Sequence, residues 1–109
     1  MYRSVEPERV ERYVAPMLEP GALTAALNWY RALDFASSSL GQIRCPSTLI
    51  WGDDDPAIGR VAAESCAHYV GADFRFVALE GVDHWIPDEH PEVVAEEVLA
   101  RIRLAHPHP

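Results

Sequence analysis

No run of apolar residues in this sequence approaches the roughly 20 that a membrane-crossing helix needs. The opening Met1-Tyr2-Arg3-Ser4-Val5-Glu6-Pro7 lacks the apolar core of a secretion signal, so a cytoplasmic location is the default expectation. Cysteine is scarce: Cys45 and Cys66 lie far apart and form no CxxC pair. They are read as reduced and partly buried, which argues against a disulfide or a metal site. Positive charge is also short. Lysine and arginine number 9 against 17 aspartates and glutamates, giving a net charge of −8. Surfaces that bind nucleic acid or anionic membranes are cationic, so neither partner is expected. No internal repeat is visible.

What is present is an ordinary globular balance. The 109 residues are 49% hydrophobic and 24% charged, enough for one domain at most and unlike a disordered chain. Val10, Tyr13, Val14 and Met17 fall at i, i+3, i+4, i+7 and predict a first helix, ended by Pro20-Gly21. Leu23, Ala26, Leu27 and Tyr30 share one face of a second. Residues 34–44 are Ser-rich, weakly periodic and read as a connector. Ser47 to Trp51 is a short apolar run between Pro46 and Gly52, as in a parallel strand buried on both faces. A loop follows through Pro56, then a helix over about residues 59–69. Phe74 to Leu79 is a second strand, Glu80 to Asp88 a loop, and a last helix begins at Pro91. Ala95, Val98, Leu99 and Ile102 form its apolar stripe, and Glu97 and Arg101 are placed to pair at i,i+4. His106 to Pro109 reads as a frayed tail. The strand–helix–strand order predicts a parallel βαβ unit.

Ligands gather beyond the carboxyl ends of parallel strands. One loop there carries Asp53, Asp54 and Asp55; the other carries Asp83 and His84. Adjacent strands lie about 4.8 Å apart, so a carboxylate past one can reach an imidazole past the other. Such a carboxylate fixes the ring's tautomer, stabilises the imidazolium and leaves the second nitrogen free as a base. The plainer readings stand beside this one: an Asp-rich loop is often a solvated turn, and a single histidine is often structural. A calcium loop fits poorly, given Pro56 and the lack of spaced acidic ligands.

Three motifs resemble one family. Pro46 to Pro56 (PSTLIWGDDDP) is similar to the penultimate strand and W-G-x-x-D acid loop of α/β-hydrolases. Phe76 to Trp85 (FVALEGVDHW) is similar to their last strand and histidine loop. Pro20 to Leu33 (PGALTAALNWYRAL) resembles the end of the cap in epoxide hydrolases. The resemblance implies an α/β fold: a C-terminal portion with cap helices followed by β-α-β-α and parallel strands. It divides the chain into the end of the cap and a connector at residues 1–44, core at 45–105 and a tail at 106–109. It makes Asp55 the triad acid, His84 the catalytic histidine and Tyr30 a donor to the epoxide oxygen. Asp53, Asp54 and Asp83 match variable positions, the first two expected to face solvent. His68 and His90 are expected on the surface and Trp51 in the core. Trp85 either lines the substrate pocket with Tyr30 or packs under the histidine loop.

The family's nucleophile sits in a G-x-D-x-G or G-x-S-x-G elbow. The glycines here do not supply one: Gly52 and Gly81 start correctly, but no glycine follows at the required spacing. A His-Gly oxyanion segment is also missing from the sequence. The resemblance therefore implies part of an epoxide-hydrolase-type enzyme acting on a small apolar substrate, without cofactor or metal and inactive alone. Its expected partner is the N-terminal half of the fold, because a two-stranded sheet buries little. The competing reading is a non-catalytic remnant or interaction module. Among enzymes, haloalkane dehalogenase and esterase share Asp55 and His84 but have no need of Tyr30.

Overall fold

The computed structural model describes residues 5–33 and 41–105. The chain divides into two compact units, the second starting at Gly41. The Asp34–Leu40 part of the expected connector and the His106–Pro109 tail lie outside the described residues.

The first unit is helical. Helix α1 spans Pro7–Val14 and runs into a 3-10 turn at Ala15–Leu18; helix α2 spans Ala22–Ala32. Pro7 suits the first turn of α1, where a missing N–H costs nothing. Gly21 enters α2 at φ 85°, a left-handed conformation that glycine adopts without strain. The apolar positions that predicted these helices, Tyr13, Val14, Met17, Leu23, Leu27 and Tyr30 among them, are exposed.

The second unit is the expected βαβ unit with a closing helix. Strand β1 spans Ser47–Gly52, helix α3 Arg60–Ser65 with a 3-10 turn at Cys66–Tyr69, strand β2 Phe74–Leu79, helix α4 Ile86–Glu89 and helix α5 Pro91–Ala105. The strands pair in parallel, from Ser47 opposite Phe74 to Gly52 opposite Leu79. One turn of helix, α4, forms inside the segment expected to be a loop. The amides of Asp88 and Glu89 donate to the Trp85 carbonyl, and Pro87 fits the first turn. Among the described residues, no helix is long and apolar enough to cross a membrane.

The core is small and lies at the carboxyl end of the sheet. Trp51, Ala63, Val82 and Ile86 are buried. Trp51 stacks on Phe76 with ring centroids 6.1 Å apart, and its indole N–H donates to the Ile58 carbonyl at 2.8 Å. The rest of β1 departs from the expected two-sided burial: Ser47 to Ile50 are only half-buried. Among the described residues the sheet has two strands, so β1 has one bonded neighbour there rather than two. Cys45 and Cys66 are free, as expected, but exposed rather than partly buried. They stand just before a strand and just after a helix, where no second layer covers them.

Helix α5 turns a different face to the sheet from the one its apolar stripe suggested. Ala95, Val98, Leu99 and Ile102 are exposed, whereas Glu97 is buried. Glu97 does not hydrogen-bond Arg101 as its spacing suggested. It accepts two bonds from Arg75 of β2, Nε to Oε2 at 2.6 Å and Nη2 to Oε1 at 2.8 Å. Arg101 instead donates to Thr48 Oγ1, to the Ser47 carbonyl at 2.9 Å and to Asp73. The Arg75–Glu97 fork is strong because both partners are ionised, and the Arg101 contacts add a hydroxyl, a carbonyl and one carboxylate. They dock α5 through polar contacts and leave its apolar stripe outside.

The hydrogen-bonded Arg75 guanidinium holds the Glu97 carboxyl below its ordinary value of 4.5, against the opposing effect of burial. A depressed folded-state value stabilises the fold above the unfolded value and loses that stabilisation as pH falls through the folded one. Unfolding midpoints in urea should therefore fall more steeply for the wild-type chain than for Glu97→Gln between about pH 5 and pH 3. Parallel pH profiles for the two would show that the pair carries no net stabilisation.

Candidate active site

The register of the two strands sets the site. Because Gly52 stands opposite Leu79, both strands end level and their loops leave side by side. The Asp53 amide extends the ladder by donating to the Leu79 carbonyl at 3.0 Å, and the Asp54 amide donates to the Val82 carbonyl at 3.1 Å. The second loop then passes directly over Gly52. A Cβ at Gly52 would lie 2.1 Å from the Val82 oxygen and 2.7 Å from the Asp83 oxygen. Only glycine admits this backbone approach.

Asp55 closes the first loop. Its amide donates to the Gly52 carbonyl at 3.2 Å, and its Oδ1 accepts from the amides of Ala57 at 2.7 Å and Ile58 at 3.0 Å. An aspartate bonding the backbone two and three residues on is a common turn device. Here it also fixes the carboxylate. The other oxygen, Oδ2, lies 2.9 Å from His84 Nδ1. The Asp55 side chain is 6% exposed and that of His84 34%. Burial works against the charged carboxylate most strongly. The His84 hydrogen bond, the two amides and the charge of the ring together outweigh it, so the carboxyl sits below its ordinary value of 3.8.

A charged carboxylate accepts, so Nδ1 carries the proton and Nε2 is left as the basic nitrogen. Trp85 meets the imidazole edge-on, centroids 5.5 Å apart at 89°, and its amide donates to Asp83 Oδ1 at 2.9 Å. Trp85 is half-buried and braces the ring that it follows in sequence. The arrangement can orient an imidazole, stabilise its charged form and take a proton from water at Nε2.

The structure thus brings Asp55, His84 and Trp85 together. Tyr30 belongs to the other unit, on α2, and is 68% exposed. Asp54, His68 and the strand-end Trp51 are placed as expected, Asp54 and His68 exposed and Trp51 buried; His90 is half-buried. Asp53 is not simply solvent-facing. Its Oδ1 accepts from the Gly81 amide at 2.7 Å, and Arg60 Nη2 lies 3.8 Å from its Oδ2. Sequence reasoning missed this contact because nothing in the spacing marks which of three consecutive aspartates turns toward the opposite loop. The close approach at Gly52 was also missed, though a glycine just where a strand meets its loop is a usable signal.

Comparison with known proteins identifies the family. A family model described as the alpha/beta hydrolase family matches residues 2–97. The chain is 36% identical over 99 residues to the AB hydrolase superfamily protein YfhM of Bacillus subtilis, covering 88% of this chain and 34% of that protein. It is 32% identical over 94 residues to epoxide hydrolase 4 of Mus musculus, covering 84% of this chain and 26% of that one. The crystal structure of epoxide hydrolase A from Mycobacterium thermoresistibile superposes with a TM-score of 0.72 at 25% identity, over 91% of this chain and 32% of that one. The chain therefore spans about a third or less of the length of these relatives. With parallel strands, level strand ends and a family model over most of its length, the chain belongs to the alpha/beta hydrolase family and is epoxide-hydrolase-like.

Proposed function

We propose that this chain supplies the water-activating half of an epoxide hydrolase, with His84 as general base, Asp55 as its orienting acid and Tyr30 as a donor to the epoxide oxygen. The observation that carries the reading is the 2.9 Å contact between His84 Nδ1 and Asp55 Oδ2, which leaves Nε2 as the free base. The names of the relatives support the reaction class: epoxide hydrolases from mouse and from Mycobacterium tuberculosis are among them.

In this reaction an aspartate attacks an epoxide carbon, the carbon–oxygen bond breaks, and the ring oxygen takes the electron pair. Negative charge grows on that oxygen, so a hydroxyl donor aimed at it stabilises the transition state more than the ground state. Tyr30 has that role in the proposal. The ester so formed is hydrolysed when His84 Nε2 takes a proton from water and the resulting hydroxide adds to the ester carbonyl; the acyl–oxygen bond then breaks, the diol leaves with the proton returned by His84, and the aspartate carboxylate is regenerated. Asp55 stabilises the imidazolium during that step. The attacking aspartate and the oxyanion donors come from segments of the fold that this sequence does not contain. The proposed partner is therefore the rest of an α/β-hydrolase core, and the proposed substrate is a small apolar epoxide.

Two experiments on a complemented enzyme, this chain joined to the N-terminal part of a relative, test the reading. His84→Gln should leave ring opening intact and block ester hydrolysis. Mass spectrometry should then find a stable adduct of the substrate on the protein, with turnover lowered on the order of 10²- to 10⁴-fold. Unchanged turnover would remove His84 from the mechanism and leave the non-catalytic module as the better reading.

Tyr30→Phe should slow epoxide opening by roughly ten- to a thousandfold, matching about 1.4–4 kcal/mol of transition-state stabilisation. Hydrolysis of a pre-formed ester should change little, because His84 drives that step. Rapid-quench measurement of adduct formation and decay separates the two. An unaltered rate of ring opening would make Tyr30 a structural residue and withdraw the epoxide assignment.

A further inference from the structure

We propose that Asp53 is a positioning residue, whose carboxylate ties the histidine loop to the acid loop and so holds the His84–Asp55 hydrogen bond at its working length. The inference rests on the proposed role of His84 for its catalytic meaning, but its geometry stands independently. The Asp53 side chain reaches across from the end of β1 and accepts the Gly81 amide at 2.7 Å. Gly81 stands at φ 68°, at the turn where the chain leaves β2, three residues before His84. An amide bonded to a carboxylate is a charge-assisted contact, stronger than its neutral counterpart.

The anchor itself is braced. Arg60 Nη2 lies 3.8 Å from Asp53 Oδ2, and the guanidinium sits 4.9 Å over the Trp51 ring, which the Ile58 carbonyl fixes in turn. Arg60 therefore links the carboxylate to the most buried part of the sheet. The Asp54 amide to the Val82 carbonyl is a second tie between the two loops. It is a single neutral bond one residue further along. With Asp53 removed, the start of the histidine loop would turn its Gly81 amide to water, and the tie between the roots of the two loops would pass to that one neutral bond. Misplacement of a reacting group by about 1 Å can cost on the order of 10²-fold in rate, so a tie at the root of the loop matters to the base at its tip.

The experiment is NMR on the isotope-labelled chain. Asp53→Ala should speed hydrogen exchange at the Gly81 amide by about tenfold or more, the scale set by a hydrogen bond to a charged group. It should also shift the His84 Nδ1 signal away from its hydrogen-bonded position. Asp53→Asn keeps an acceptor oxygen and should restore both. The amides of Leu49 and Val77 report on the paired strands and should keep their protection, which separates a loosened loop from an unfolded chain. If Asp53→Ala proves too unstable to measure, Asp53→Asn alone decides: a wild-type His84 signal supports the proposal and a displaced one overturns it. Faster exchange at Gly81 with an unmoved His84 signal would also overturn it, reducing Asp53 to a local turn residue. None of these readouts requires turnover, so they can succeed or fail independently of the reaction assigned to His84.

Discussion

The parallel pairing of Ser47–Gly52 with Phe74–Leu79 is the constraint from which the rest of this site follows. Its register ends both strands at the same level, and only then can two loops, one acidic and one bearing the histidine, run side by side. A slip of one residue would turn every strand side chain to the opposite face. It would also move the Val82 carbonyl off Gly52 and carry the imidazole away from Asp55. The Arg75–Glu97 fork and the Arg101 contacts to Thr48 and Ser47 guard that register from outside, because they bind α5 to individual positions of both strands.

Much of this was legible in the residues. Apolar runs, the first bounded by Pro46 and Gly52, marked both strands nearly to the residue, and their order predicted the parallel pairing. The W-G-x-x-D and D-H-W stretches singled out Asp55 and His84, and the structure sets those two side chains in contact. The same signal did not say what the neighbouring aspartates do. Asp53, Asp54 and Asp55 are chemically identical, and which of them points at an imidazole, a backbone amide or water depends on turn geometry that composition does not encode.

Helix α5 shows the opposite limit. Its apolar stripe, Ala95, Val98, Leu99 and Ile102, is exposed in the structure. Periodicity reports which residues share a face. It does not report which neighbour that face meets, and here the Arg75–Glu97 ion pair and the Arg101 contacts to β1 decide the matter in favour of the polar side. The half-buried residues of β1 have a related cause. An apolar run predicts burial on both sides of a strand, and a sheet of two strands cannot provide it.

The carboxylate of Asp55 has one further property. Its two oxygens already receive the amides of Ala57 and Ile58 and the ring of His84. An ionised carboxylate offers about four acceptor positions, so three of them are engaged by groups that would have to be stripped away before either oxygen could form a bond to carbon. The proposed reaction uses two aspartates of opposite duty, one that attacks and one that steadies. Solvation by the protein's own donors assigns Asp55 to the second duty, because an acid so thoroughly coordinated has its electron density committed.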